Sequence, residues 1–398
     1  MRLDYADLKI WPGHFTTLLL AGALLHPALV RADAGGADPF CGGPGTAASV
    51  WRTMQRELQE MDLLLPVTDK MGLARRNSAL ARQAREFAGF GAGLPAVPRA
   101  QLLRDVVDLG LHTGGFASGG LSDTNQLEKI RRLVADMGAQ FPPASLQGGL
   151  LDFSGALQPV KPLLMARIIE AGPLRRNQTN ALTLRLTRSD GAPALLAELL
   201  ETHTRKIHLL IIDEGLEDYH HEHPEPTTTP GEYRFHFIPR GPGQYRLWAN
   251  TLPAVSVREE FASADLPAFP SPGRAKGFST NLTAHADGLR YELQFDGGTV
   301  QAGRVTIGRI KIFTDAGVPV SRLEPLMGAF AHIAAFHEDF QTALHTHPLN
   351  VPESALDRGG PILEFRLLCP KGGFVRLIAQ MQLDGAARFV SFGVRVED

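Results

Sequence analysis

One four-residue signature occurs twice at the same spacing and narrows what this chain can fold into: His208, His221, His223 and Pro224, then His332, His345, His347 and Pro348. Each copy reads His, twelve residues, His, one residue, His-Pro. Between the first two histidines comes an apolar run followed by turn-forming residues. In the first copy these are Leu209-Leu210-Ile211-Ile212 and Asp213-Glu214-Gly215; in the second, Ile333-Ala334-Ala335-Phe336 and His337-Glu338-Asp339. That order is strand, turn, strand.

A hairpin turns this spacing into geometry. If His208 faces His221 across an antiparallel pair, the turn centres on Glu214-Gly215; for His332 and His345 it centres on Glu338-Asp339. Facing residues project to one side, and a strand returns to that side every second residue. All three rings of each copy are therefore expected on one face. Two imidazoles from one strand and a third from its neighbour supply three positions of a tetrahedral zinc or a copper ion. For a fourth position the candidates are His220, Glu222 and Glu225 near the first triad and His337 near the second, with the parity of His220 and Glu222 pointing them to the opposite face. The competing reading is a strand end stopped by proline, with histidines bonded to backbone or water. The apolar residues differ between the copies while the histidines and the proline match, which favours a shared chemical role.

The chain has 398 residues and a formal net charge of −2, which predicts two or three domains and excludes a basic nucleic-acid grip. From about 46 to 140 apolar residues recur at helical intervals: Val50, Trp51, Met54, Leu58 and Met61; Leu80, Ala84 and Phe87; Leu102, Leu103, Val106 and Val107; Leu127, Ile130, Val134 and Met137. These predict a small helical bundle, with Pro98 at one helix start and Asp123 capping the fourth helix. Met54, Met61, Met71 and Met137 read as core filler rather than copper ligands. His112 sits at a helix end.

After a Pro/Gly-rich link over 141–149 the pattern becomes strands, interrupted by a second link over 267–277. Strands every eight to twelve residues on either side of that link predict two antiparallel sandwiches in tandem. The expected fold class is thus α + β and multidomain: a helical bundle over 44–142, then Greek-key, immunoglobulin- or cupredoxin-like sandwiches over 160–264 and 278–398. Pro239-Arg240-Gly241-Pro242-Gly243-Gln244-Tyr245-Arg246-Leu247 parallels Pro370-Lys371-Gly372-Gly373-Phe374-Val375-Arg376-Leu377, so the repeat extends beyond the histidines.

Phe15 to Val30 is apolar and ends near Ala32 and Ala34, as an export signal over 1–34 would. That predicts a periplasmic or secreted protein, where Cys41 and Cys369 are able to pair. Leu323-Glu324-Pro325-Leu326-Met327-Gly328-Ala329-Phe330-Ala331-His332, His345-Thr346-His347-Pro348 and Gly373-Phe374-Val375-Arg376-Leu377 resemble exported bacterial β-sandwich proteins similar to YtkA-like and copper-resistance CopC-like domains. The resemblance covers residues 160–398 and implies a Greek-key sandwich concerned with metal, often copper. The first copy carries Glu201-Thr202-His203-Thr204-Arg205-Lys206 in place of the Pro-Leu-Met-Gly-Ala lead-in, and the methionine-rich copper loop of CopC-like proteins is missing.

The leading functional expectation is an exported copper- or zinc-binding protein for buffering, resistance or delivery, using His332, His345 and His347 and also His208, His221 and His223. Its partners would be the ion and another periplasmic or membrane metal-handling protein. Two alternatives stand beside it: a scaffold with packing histidines, and a zinc hydrolase whose general base would be Glu222 or Glu338. No Gly-x-Ser-x-Gly elbow or phosphate-binding glycine loop points to other catalysis.

Overall fold

A computed structural model describes residues 47–67, 69–117, 124–147, 162–169, 172–241, 243–256, 258–267, 269, 277–352 and 354–398. The expected export segment, Cys41 with its pairing to Cys369, and the Asp123 cap lie outside them. Among the described residues no helix is long and apolar enough to cross a membrane.

The chain is α + β, with helices first and antiparallel strands after. Helices α1 (Ala47–Leu64), α2 (Lys70–Gly89), α3 (Ala96–Ala117) and α4 (Thr124–Ala139) pack around Met54, Met61, Leu80, Phe87, Ile130 and Met137. Three of the four methionines, Met54, Met61 and Met137, are buried apolar filler as expected, whereas Met71, on the outer face of α2, is 70% exposed and fills no core. Pro98 falls in the first turn of α3, two residues after its start. A short helix α5 (Pro143–Gln147) occupies part of the expected link. Asp69 caps α2 by accepting from the Gly72 N–H at 2.8 Å.

The first β half contains β1 (Leu164–Ile169), β2 (Asn180–Arg188), β3 (Leu199–Leu200), β4 (Ile207–Asp213), β5 (His220–Glu222), β6 (Glu225–Pro226), β7 (Glu232–Phe237), β8 (Tyr245–Pro253) and β9 (Glu260–Asp265). One sheet runs β1-β2-β7-β6; the other runs β3-β8-β4-β5, with β9 also on β8. The second half contains β10 (Thr283–Ala286), β11 (Leu289–Phe295), β12 (Val300–Gln301), β13 (Val305–Thr314), β14 (His332–His337), β15 (Ala343–Thr346), β16 (Ile362–Leu368), β17 (Gly373–Leu383) and β18 (Ala386–Glu397). Its sheets run β10-β11-β13-β16 and β12-β18-β17-β14-β15. Each half is sandwich-like, its two sheets closing on a core of its own.

Strands β4 and β14 are buried on both faces. Leu209 and Ile211 point into the first core, Ile333 and Ala335 into the second. The opposite faces carry Leu210, Ile212, Ala334 and Phe336, which join Trp248, Phe340, Phe374 and Ile378 in a third cluster spanning both halves. Each continuous apolar run thus serves two interiors, because alternate side chains face opposite ways. The Trp248 indole N–H donates to the Gln341 carbonyl across this junction at 3.2 Å.

Hairpin register differs from the sequence expectation by two residues in both copies. His221 pairs with Leu210, and Ala334 pairs with His345. The turns are correspondingly displaced, with Leu216 and Phe340 left-handed at φ 56° and 57°. Because the slip is even, no side chain changes face, and the expected one-sidedness of each triad is unaffected.

Gly393 on β18 is fixed by space: a Cβ there would stand 2.2 Å from the Ser279 carbonyl oxygen. Gly393→Ala is expected to lower stability by about 1–3 kcal/mol through overpacking, read as a lower urea midpoint at unchanged slope.

Candidate metal centre

The same local device sets up the first histidine of each triad. Thr202 and Arg205 pair around His203 and Thr204, at φ 47° and 67°; Leu326 and Ala329 pair around Met327 and Gly328, at φ 49° and 79°. Two left-handed central residues make the tight turn that matches strand twist. The turn's first carbonyl then points at the following strand. Thr202 O accepts from His208 Nε2–H at 3.0 Å, and Leu326 O accepts from His332 Nε2–H at 3.0 Å. A carbonyl accepts only, so both rings carry their proton on Nε2 and turn an Nδ1 lone pair toward their own triad.

The second histidine of each triad is oriented by the opposite half of the molecule. His221 Nδ1–H donates to Gln380 Oε1 at 3.0 Å, and His345 Nδ1–H donates to Asn250 Oδ1 at 2.9 Å. Gln380 lies directly across from His332 in its own sheet, and Asn250 lies directly across from His208. The two amides therefore occupy matching positions and cross over, each holding a ring of the other half. Asn250 Nδ2 in turn donates to Glu259 at 3.3 Å, which fixes the amide with its oxygen toward His345.

With those protons committed, the remaining nitrogens converge. His208 Nδ1 is 3.1 Å from both His221 Nε2 and His223 Nε2. His332 Nδ1 is 3.0 Å from His347 Nε2 and 3.4 Å from His345 Nε2. In each triad at least two lone pairs thus face one another without a proton between them. These pairwise spacings are those of ligands around one ion, since metal–nitrogen bonds near 2.0 Å in a tetrahedral shell put neighbouring nitrogens ~3.3 Å apart. The sets of three whose ligand atoms all converge within 4.8 Å are His208, His221 and His223, and His221, His332 and His345.

The triads are not separate sites. His221 ligand nitrogen lies within 4.8 Å of those of His332 and His345, and the rings of His208 and His345 are 5.3 Å apart. His208, His332, His345 and His347 are at most 3% exposed. Burial pushes His208, His221 and His223 down to about 3, and His332, His345 and His347 well below their ordinary value, so all six are neutral near pH 7. Protonated neighbours add to the depression by like-charge repulsion. His223 borders an open cleft of about 680 Å³ that also includes Glu222 and Glu225.

The fourth-ligand candidates fall elsewhere. His220 turns into the first core beside Phe237 and lies 3.3 Å from Asp218, as its parity required. His337 is at the far end of β14, donating to the Gly372 carbonyl at 2.8 Å and accepting from the Asp339 N–H. Glu338 accepts the Phe374 N–H near that same end. Among the described residues the ligand groups contain imidazoles only, without Glu222 or Glu225. His112, on α3 in the bundle, accepts from the Gln126 side-chain amide through its Nδ1 at 3.2 Å and its carbonyl at 2.9 Å.

Sequence reasoning missed three participants. His203 stacks on His347 with ring centroids 3.6 Å apart, and burial pushes it down to about 4. Asn250 and Gln380 had no motif around them. Only their positions opposite the first histidines, on strands led by the paralleled Gly-rich turns, offered a signal.

Fold and site together define a class: helices followed by two sandwich-like β halves that close on a shared cluster of neutral imidazoles. The family described as Domain of unknown function (DUF8832) matches residues 166–261 and 284–398, and the chain belongs to it. Both triads lie inside the matched stretches. No curated protein matches the chain. Among solved structures it is similar to Escherichia coli alpha-2-macroglobulin activated by porcine elastase, at 12% identity over 59% of this chain and 20% of that one, with a TM-score of 0.20. A titin structure matches at 11% identity over 60% of this chain and 98% of that one, with a TM-score of 0.16. Three N-terminal domains of the bacteriophage RB49 Highly Immunogenic Outer Capsid protein match at 8% identity, over 58% of this chain and 59% of that one, with a TM-score of 0.16.

Proposed function

We propose that this chain binds two metal ions, one per triad, in a single buried centre closed by its two β halves, and that it buffers or delivers copper or zinc outside the cytoplasm. The observation that carries the reading is the set of facing lone pairs. Neutral imidazole nitrogens 3.1 Å apart in His208–His221 and 3.4 Å apart in His332–His345, with their other protons already committed, repel one another until a cation stands between them. A donor set of imidazoles alone suits zinc and copper. It leaves the ion's charge uncompensated inside the centre, which costs less for monovalent copper than for a divalent ion and favours copper, in line with the resemblance to copper-resistance domains. Ions would enter from the cleft beside His223, where Glu222 and Glu225 attract cations. The two β halves are read as tandem Greek-key copies of one sandwich, and the apolar stretch Phe15 to Val30 as the export signal.

Native mass spectrometry of the metal-stripped chain, titrated separately with copper and zinc at neutral pH, tests the reading. Two ions per chain are expected, falling to one when His332, His345 and His347 are all replaced by alanine. A chain that stays metal-free with both metals at micromolar excess overturns it and leaves a scaffold whose histidines only pack.

A further inference from the structure

The bundle meets the second β half through polar groups. Arg75 donates to the Ser321 carbonyl at 2.8 Å, and Arg76 donates to the Arg358 carbonyl at 2.9 Å. Beside these contacts lies a cavity of about 750 Å³. Seven arginines line it, among them Arg52, Arg56, Arg75 and Arg76 from the helices and Arg358 and Arg366 from the β half, against three acidic residues, Glu57, Glu86 and Asp357.

Part of this charge is already matched. Arg56 pairs with Glu57 at 2.9 Å, and Arg76 bridges Glu57 and Glu60 at 3.3 and 2.9 Å. The match is incomplete. Arg56 is 2% exposed; its Nε lies 3.8 Å from Glu60 Oε1, an ion pair beyond hydrogen-bond distance, and its Nη1 has no hydrogen-bond partner among the described residues. The same holds for Arg52 Nη1, Arg75 Nε, Arg76 Nε and the side-chain amide of Asn350, which also lines the cavity. Buried N–H groups almost always have an acceptor, and a guanidinium always carries its charge. Several orphaned guanidinium donors around one cavity therefore call for a ligand rich in oxygen acceptors and negative charge.

We infer that this cavity is a binding site for a small polyanion carrying at least two carboxylate or phosphate groups. Its volume lies in the range of small-molecule sites and exceeds what one inorganic phosphate fills. Guanidinium forks match the paired oxygens of either oxyanion, so carboxylate and phosphate share the recognition chemistry. Arg56 and Arg76 are held in place by Glu57 and Glu60, and Arg52, Arg75 and Asn350 supply uncommitted donors at the rim. No imidazole lines the cavity, so this inference stands independently of the metal centre.

Isothermal titration of the metal-stripped full chain with pyrophosphate and, separately, with tricarballylate tests it at physiological ionic strength. One equivalent of either anion is expected to bind; pyrophosphate alone assigns a phosphorylated ligand and tricarballylate alone a polycarboxylate. Arg52→Gln, which removes an uncommitted donor and leaves the Arg56–Glu57–Arg76–Glu60 network intact, is expected to weaken binding at least about tenfold, with the anion-free thermal transition unchanged as the folding control. Absence of binding by both anions at millimolar concentration, or equal affinity in Arg52→Gln, overturns the site.

Discussion

Mild acid is expected to open the junction between the two β halves of the metal-stripped protein, with a midpoint roughly at pH 5. Burial lowers each buried imidazole from 6.5, to about 3 for His208 and well below the ordinary value for His332, His345 and His347. Above pH 6.5 neither the folded nor the unfolded chain protonates these rings, and their contribution to pH dependence is flat. As the pH falls below 6.5 the unfolded chain takes up protons that the folded chain refuses, so stability drops until the folded-state pKa is reached. Each fully depressed ring contributes about 1.4 kcal/mol per pH unit in that window, and four together are on the order of 5 kcal/mol per unit. Domains have only about 5–15 kcal/mol to lose. Trp248 reports the event, since its ring packs 5.5 Å from Phe336 across the junction; Trp11→Phe and Trp51→Phe isolate its fluorescence. Two equivalents of metal should move the transition to lower pH, because the ion competes with protons for the same lone pairs. A flat profile from pH 7 to 4 would mean that the rings are solvated and the closed centre is wrong.

A substitution in one half should weaken metal binding at the triad of the other. Gln380→Leu is expected to lower the affinity of the His208, His221 and His223 triad by roughly 10–100-fold, the usual cost of losing the partner that orients a ligating ring. Asn250→Leu should do the same to the His332, His345 and His347 triad. Chelator competition gives the affinities, measured for Gln380→Leu in a background where His332 and His347 are alanine, and for Asn250→Leu in one where His208 and His223 are alanine. If each amide affects only the triad of its own half, the crossed hydrogen bonds of Gln380 to His221 and Asn250 to His345 play no part in holding the rings. The experiment also separates a shared centre from two independent ones.

The helical half was legible because its apolar residues recur at helical intervals over long stretches: α1 to α4 contain the four segments read from Val50, Leu80, Leu102 and Leu127. Strands with clear alternation or buried runs, such as those over 207–213 and 332–337, were equally visible. The edge strands over 164–169 and 260–265 were not. Glu260-Phe261-Ala262-Ser263-Ala264-Asp265 is short and polar at both ends, and pairing with β8 makes it a strand; Leu164 to Ile169 is a short segment paired with β2 alone. The histidine motif survived a register error because a two-residue slip preserves side-chain parity, whereas a one-residue slip would have scattered each triad over both faces.

The sequence by itself determined that each triad shares one face, that the pattern is repeated, and that helices precede strands, because all of these follow from short-range periodicity. Only the tertiary structure decided that the two triads meet. The reason lies in Leu210, Ile212, Ala334 and Phe336, whose burial brings the outer faces of β4 and β14 together and carries the neighbouring histidines into one centre. Whether an apolar run serves one core or two depends on what packs against its second face, and periodicity along a single strand holds no record of that. The crossed amides have the same origin: 159 residues separate Gln380 from His221 and 95 separate His345 from Asn250, and only the docking of the halves puts each pair within a hydrogen bond.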